Sequence, residues 1–226
     1  MNWSISKLKE MGKVSLRGSY WNAVLVSIIM LLTLPEAAGT ADTVQESVRN
    51  SGFDITVIIT VLGGLGGAGF IATLLRVFLL NPLQIGCRRF FVEDLYSPVD
   101  LTFLQAGFSP NYWNVVKIKF FESLFITLWT LLLIVPGIVK AYEYRMVDYL
   151  LADYPDMPME EAFARSRQMM QGEKMNAFWL DLSFLGWWIL TLFTAGLLGV
   201  FYVSPYKNLT DAALYAALSD KMRNGG

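Results

Sequence analysis

Histidine is absent from all 226 residues, and cysteine occurs once, at Cys87. Without histidine no Ser-His-Asp or Cys-His catalytic group can be assembled, and no histidine-bearing metal site. A single cysteine excludes an internal disulfide, a thiolate metal cluster and a redox pair. Beside Arg88, Cys87 reads either as an ordinary buried thiol or as one with a lowered pKa. Charge is also scarce: Asp, Glu, Lys and Arg make up 16% of the chain and sum to a net −1. That balance argues against nucleic acid as a partner, since such binding calls for an extensive clustered basic surface.

Apolar residues take the place of the missing ones. They form 54% of the chain, with seven Trp, and the mean hydropathy is +0.44. Four stretches carry no charge at all: Gly18–Pro35, Ile55–Leu75, Ser123–Val139 and Leu182–Tyr206, of 18, 21, 17 and 25 residues. A membrane-spanning helix needs about 20 mostly apolar residues, so the composition predicts an all-α integral membrane protein. The basic N-terminus and the small residues Ala37-Ala38-Gly39-Thr40-Ala41 have the form of a signal peptide. The first apolar run is nonetheless read as a retained span, because it belongs to a repeat.

Tyr20-Trp21-Asn22-Ala23-Val24 recurs as Tyr112-Trp113-Asn114-Val115-Val116, and Asn22-Ala23 recurs as Asn176-Ala177. Each copy opens an apolar run, as in membrane bundles built by duplication. Glu122 with Asp181, Trp129 with Trp188 and Gly137 with Gly196 align at one fixed offset. Amphipathic helices are expected ahead of the spans. In Met159–Gly172 the residues Met159, Ala162, Phe163, Ser166, Met169 and Met170 share a face. In the first unit Ile5, Leu8, Gly12 and Leu16 line one side, and Lys9, Lys13 and Arg17 form a basic stripe. Such helices suit a membrane surface or the cap of a bundle.

The positive-inside rule selects the number of spans. Four spans would place Arg49, Lys140, Arg145, Arg165, Arg167 and Lys174 outside, six of 18 basic residues. Reversals at Pro136-Gly137 and around Gly196–Gly199 give six spans instead, at about 20–37, 54–77, 118–135, 138–152, 177–194 and 199–218. Then 14 basic residues lie inside and Arg49 alone lies outside, with Lys140, Arg145 and Lys207 within spans. Both termini are cytoplasmic in this arrangement, Glu36–Asp54 is the outer loop, and Tyr20, Trp21, Tyr112, Trp113 and Trp179 fall at the inner interface.

The fourth span carries Lys140, Glu143, Arg145 and Asp148, each costly at a bilayer centre. Three-residue spacing predicts that Lys140 pairs with Glu143 and Arg145 with Asp148. Glu122, Asp181 and Lys207, the last four residues before Asp211, complete a candidate intramembrane charged site. It is read as mutual neutralisation or as a relay or headgroup site. The run Gly63-Gly64-Leu65-Gly66-Gly67-Ala68-Gly69 lacks the Lys-Ser or Lys-Thr of a P-loop. Gly63 and Gly67 instead have the spacing of a close helix-packing contact.

Several of these residues also carry a family resemblance. Pro136-Gly137-Ile138-Val139-Lys140-Ala141-Tyr142, Tyr149-Leu150-Leu151-Ala152-Asp153, Glu161-Ala162 with Ser166-Arg167, Met170, Gly172, Leu180-Asp181-Leu182-Ser183-Phe184-Leu185-Gly186-Trp187 and Pro205-Tyr206 resemble a bacterial integral membrane family, domain of unknown function 975. Val147-Asp148 departs from the small residue and proline expected there. The resemblance implies a multi-span bacterial plasma-membrane protein and supplies no activity, cofactor or catalytic residue.

The expected architecture is one transmembrane domain over 1–226, in three hairpin units at about 1–80, 97–152 and 157–220, with amphipathic surface helices. The expected function is non-enzymatic, with no cofactor: an accessory or scaffolding protein of the bacterial inner membrane. Its expected partners are the bilayer, anionic headgroups at the inner face, and a membrane-protein partner or a second copy. The alternative is a small permease or ion-coupled carrier using the fourth-span charges. An enzyme acting on lipid substrates is a third reading.

Overall fold

The computed structural model describes residues 3–33, 74–97, 99–108 and 111–224, and among them every regular element is helical. Most of the 54–77 span, the outer loop Glu36–Asp54 and the pair Gly63 and Gly67 lie outside the described residues.

Helix α1 (Ile5–Gly18) begins at Ser4, whose side chain accepts the Lys7 N–H, the ordinary way to satisfy a helix-start donor. Its buried face is Leu8, Gly12 and Leu16, as the spacing predicts. Helix α2 (Tyr20–Leu32) leaves α1 at 109°. Helix α3 (Asn81–Asp94) follows a π-helical turn at Arg76–Leu80, and a 3₁₀ helix occupies Leu101–Phe108. Next come α4 (Tyr112–Leu132), α5 (Ile134–Tyr144), α6 (Val147–Asp153), α7 (Met159–Met169), α8 (Lys174–Leu182) and α9 (Leu185–Phe193). A second π-helical turn at Gly199–Val203 leads into α10 (Ser204–Asn224).

Both π-helical turns precede an X-Pro pair, Asn81-Pro82 and Ser204-Pro205. The residue before each proline bonds five positions back, Asn81 to the Arg76 carbonyl and Ser204 to the Gly199 carbonyl. Proline has no N–H, so the carbonyls four residues before it, Phe78 and Phe201, lose their helical donors. Tyrosine hydroxyls from elsewhere replace them: Tyr112 donates to the Phe78 carbonyl and Tyr20 to the Phe201 carbonyl. The repeated Tyr-Trp-Asn motif therefore caps proline-opened helix turns in a different unit.

Lys174 stands where the third copy would have its tyrosine, and its ammonium bonds Glu143 on α5 at 2.7 Å. The three units thus close a ring of contacts, first onto third, second onto first and third onto second. The opening helices follow the same order. α1 lies on α10, with Gly12 so close that a Cβ there would be 3.0 Å from the Thr210 nitrogen. The 3₁₀ helix lies on α3, and α7 on α5 and α6. The motif's asparagine pins the next linker: Asn22 donates to the Val99 carbonyl, and Asn114 to those of Pro155 and Met157.

The buried apolar side chains, among them Leu8, Phe90, Phe91, Tyr149, Leu151 and Leu214, gather where α1, α3, α6, α7 and α10 meet. The ends of the α4–α5 and α9–α10 hairpins are the opposite. Leu132 is 69% exposed, Val135 70%, Leu192 79% and Phe193 82%. Among the described residues Lys174–Phe193 is long and apolar enough to cross a membrane, and α1 with α2 would make a second such span if their bend is counted as one.

Several boundaries differ from expectation, two of them in the second unit. Positions 138–152 are two helices, because the chain turns at Arg145–Met146 and lays α6 against α3, burying Val147 through Ala152. The α4–α5 reversal falls at Leu133, which is extended (φ −157°, ψ 131°), and not at Pro136-Gly137. Pro136 sits in the first turn of α5, where its missing N–H breaks no bond. Gly137 allows α5 to cross close over Thr130, whose Cα would lie 2.6 Å from an added Cβ.

The tyrosine caps make a testable pair. Tyr112→Phe should lower stability by about 1 kcal/mol, read from thermal unfolding. In a Pro82→Ala background, where a backbone N–H can serve the Phe78 carbonyl, the same change should have no effect.

A charge-balanced ion-pair layer at the base of the hairpins

The four charges predicted to share one span are separated: Asp148 enters one cluster, Arg145 a second, and Lys140 and Glu143 pair outside both. In the first, Lys119 on α4 bonds Glu122 at 2.8 Å and Asp148 on α6 at 2.6 Å. The Arg88 Nε lies 3.7 Å from the other Asp148 oxygen, and its Nη1 donates to the Tyr149 hydroxyl at 3.1 Å. The side chains of Lys119, Glu122 and Asp148 are all about nine-tenths buried. In the second cluster Arg145 grips both Asp181 oxygens, at 2.8 and 2.9 Å, and reaches Asp211 at 2.9 Å. Lys207 bonds Asp181 at 2.9 Å and Asp211, and the Tyr142 hydroxyl donates to Asp181 at 2.7 Å.

Each cluster holds two cations and two carboxylates. Burying a charge is tolerable only when it is paired and its remaining hydrogen-bonding capacity is used; both clusters are paired throughout, and the buried Arg88 Nε is left without a hydrogen-bond partner. Three helices that are distant in sequence supply the second one, so Arg145, Asp181 and Asp211 tie the second hairpin to the third.

Lys140 and Glu143 pair at 2.8 Å, as their spacing predicts, and Lys174 joins Glu143 from α8. Arg145 and Asp148 do not pair. The break between α5 and α6 turns them apart, sending Arg145 to α8 and α10 and Asp148 to α3 and α4. Glu122 and Asp181 occupy different clusters, so they do not form a two-carboxylate site. Lys119 and Arg88 belong to the network but not to the expected set. Lys119 was readable from its three-residue spacing to Glu122; nothing in the sequence marks Arg88.

A cavity of about 160 Å³ separates the clusters, lined by Arg88, Lys207, Asp211, Asn208, Ser27 and Trp188 among others. Among the described residues no group of three or more Asp, Glu or Cys side chains could hold a metal ion. Cys87 is buried, and burial pushes its thiol up to about 12 despite the neighbouring Arg88. The environment acts in the opposite direction to that of an activated thiolate.

An all-helical chain whose hairpins are joined by buried, balanced ion pairs defines the class structurally. The family described as "Protein of unknown function (DUF975)" matches residues 104–222, just over half of the sequence, and the chain belongs to that family. The matched region runs from the 3₁₀ helix through nearly all of α10 and includes both charge clusters except Arg88. No curated protein and no solved structure matches the chain.

Removing one member of a buried pair leaves its partners uncompensated, at a cost of about 3–5 kcal/mol. Lys119→Met should destabilise the fold by that order in denaturant titration, and adding Glu122→Gln should recover part of the loss. A thiol reagent should modify Cys87 only as the protein unfolds, so its labelling rate should follow the melting curve.

Proposed function

We propose that this protein is an integral protein of a bacterial plasma membrane with both termini in the cytoplasm. It works without catalysis, as an accessory or scaffolding protein that binds lipid or a membrane partner. The observation that carries this reading is the pair of hairpin ends made of exposed Leu, Val and Phe and free of charge from Ser123 to Val139 and from Leu182 to Tyr206. Water penalises such surface and acyl chains accept it. The exposed Lys13 and Arg17 of α1 suit anionic headgroups at the inner face, and the spacing of Gly63 and Gly67 suits close helix packing.

The carrier alternative draws on Lys140, Glu143, Arg145 and Asp148. Each of these bonds an opposite charge, which favours neutralisation over a vacant binding site. The protein should stay in the membrane pellet through an alkaline carbonate wash and leave it with detergent. Release by the wash would remove the membrane reading. Solute flux in proteoliposomes that is lost in Glu143→Gln or Asp148→Asn, with the fold retained, would replace the accessory role with a carrier.

A further inference from the structure

We infer that the α4–α5 and α9–α10 hairpins enter only one leaflet and turn back near the bilayer midplane. The acyl chains of the inner leaflet are then the partner of their apolar ends. This rests on the membrane reading above and adds a depth to it.

The first argument is a length. The bonds among Arg145, Asp181, Lys207 and Asp211 place the two hairpins at a common level. From Arg145 back to the reversal at Leu133 is 12 residues, about 18 Å of helix. From Asp181 to Thr194 is 13 residues and from Lys207 back to Gly196 is 11, about 20 and 17 Å. The hydrocarbon core is about 30 Å thick, so one leaflet contributes about 15 Å. Hairpin ends at the midplane leave this quartet just outside the hydrocarbon, among the headgroups. Ends carried to the far surface would draw it about 10 Å into hydrocarbon, accompanied by Glu122, Lys119 and Asp148, where charge is strongly penalised.

The second argument is the chemistry of the ends. A reversal that emerges in water would be polar, yet the most exposed residues here are Leu132, Val135, Leu192 and Phe193. Several of their backbone groups are also served from within, which lowers the cost of a reversal inside hydrocarbon. The Leu133 N–H bonds the Trp129 carbonyl at 3.0 Å and the Gly137 N–H bonds that of Leu133 at 3.1 Å. In the third unit the Gly196 N–H bonds the Thr191 carbonyl at 3.0 Å, and the Leu198 N–H bonds the Thr194 hydroxyl at 3.2 Å. Lys140, closest to an end among the charges, bonds Glu143 one turn nearer the base, as a long amphipathic side chain does.

One-leaflet insertion keeps every charged linker after α3 on the inner side, so it satisfies the positive-inside rule without exposing either reversal outside. The first unit differs, since its charge-free stretches of 18 and 21 residues are long enough to cross.

The test uses the full chain with single cysteines at the exposed positions Leu133→Cys and Phe193→Cys, and Gln171→Cys as an inner-side control. The buried Cys87 stays silent. Membrane-impermeant maleimide is applied from each side, and a fluorophore on the same cysteines is quenched by nitroxide lipids labelled near the headgroup or at the chain end. The expected result is loss of labelling at both hairpin ends from either side, labelling of Gln171→Cys from the inner side, and strongest quenching by chain-end nitroxides. Labelling of either end from outside, or strongest quenching by headgroup-proximal nitroxides, overturns the one-leaflet inference and leaves the membrane reading standing. Labelling of both ends from the inner aqueous side, with the protein released by carbonate, overturns both.

Discussion

Charge neutrality in a confined space governs this structure. Arg145 cannot be buried without Asp181 and Asp211, and those carboxylates cannot be buried without Arg145 and Lys207. Because the four residues come from the α5–α6 junction, α8 and α10, satisfying them fixes how the second and third hairpins meet. Lys119, Glu122, Asp148 and Arg88 impose the same condition on α4, α6 and α3. Apolar packing is comparatively tolerant of small displacements, whereas a buried carboxylate that moves by an ångström loses its partner.

Much of the helical plan was legible in the sequence because it depends on local periodicity. The faces of α1 and α7 could be read from spacing alone, and Leu8, Gly12, Leu16, Ala162, Phe163, Ser166 and Met169 are buried as the pattern requires. The Lys140–Glu143 pair was likewise a local matter. Arg145 and Asp148 show where local reasoning stops. Three-residue spacing pairs them only if the helix continues, and the break at Arg145–Met146 comes from the packing of α6 on α3, a contact some 60 residues apart in sequence. The involvement of Arg88 has the same non-local origin.

The repeated Tyr-Trp-Asn motif is a different kind of case. Its recurrence is visible in the sequence, but the contacts of its tyrosines are not. The complementary signal was also present in Asn81-Pro82 and Ser204-Pro205, each of which must orphan a carbonyl four residues earlier. Only the fold shows that a tyrosine from another unit meets each one. In the second unit Val147-Asp148 follows the corresponding break, and Asp148 there enters an ion pair while Lys174 replaces the tyrosine. Two tyrosine–carbonyl contacts and one side-chain ion pair thus join successive units.

The π-helical turns at Arg76–Leu80 and Gly199–Val203 each wind one additional residue into a helix. One residue corresponds to about 100° of rotation about the axis. At Gly199–Val203 the apolar residues above the turn, Leu197 and Leu198, are therefore out of phase with the stripe below it. A single continuous rod can point its upper side chains outward and its lower ones, such as Leu209, Ala213 and Leu214, into the protein interior. The proline acts as a phase shifter, and the register of everything C-terminal to it is counted from that one extra residue.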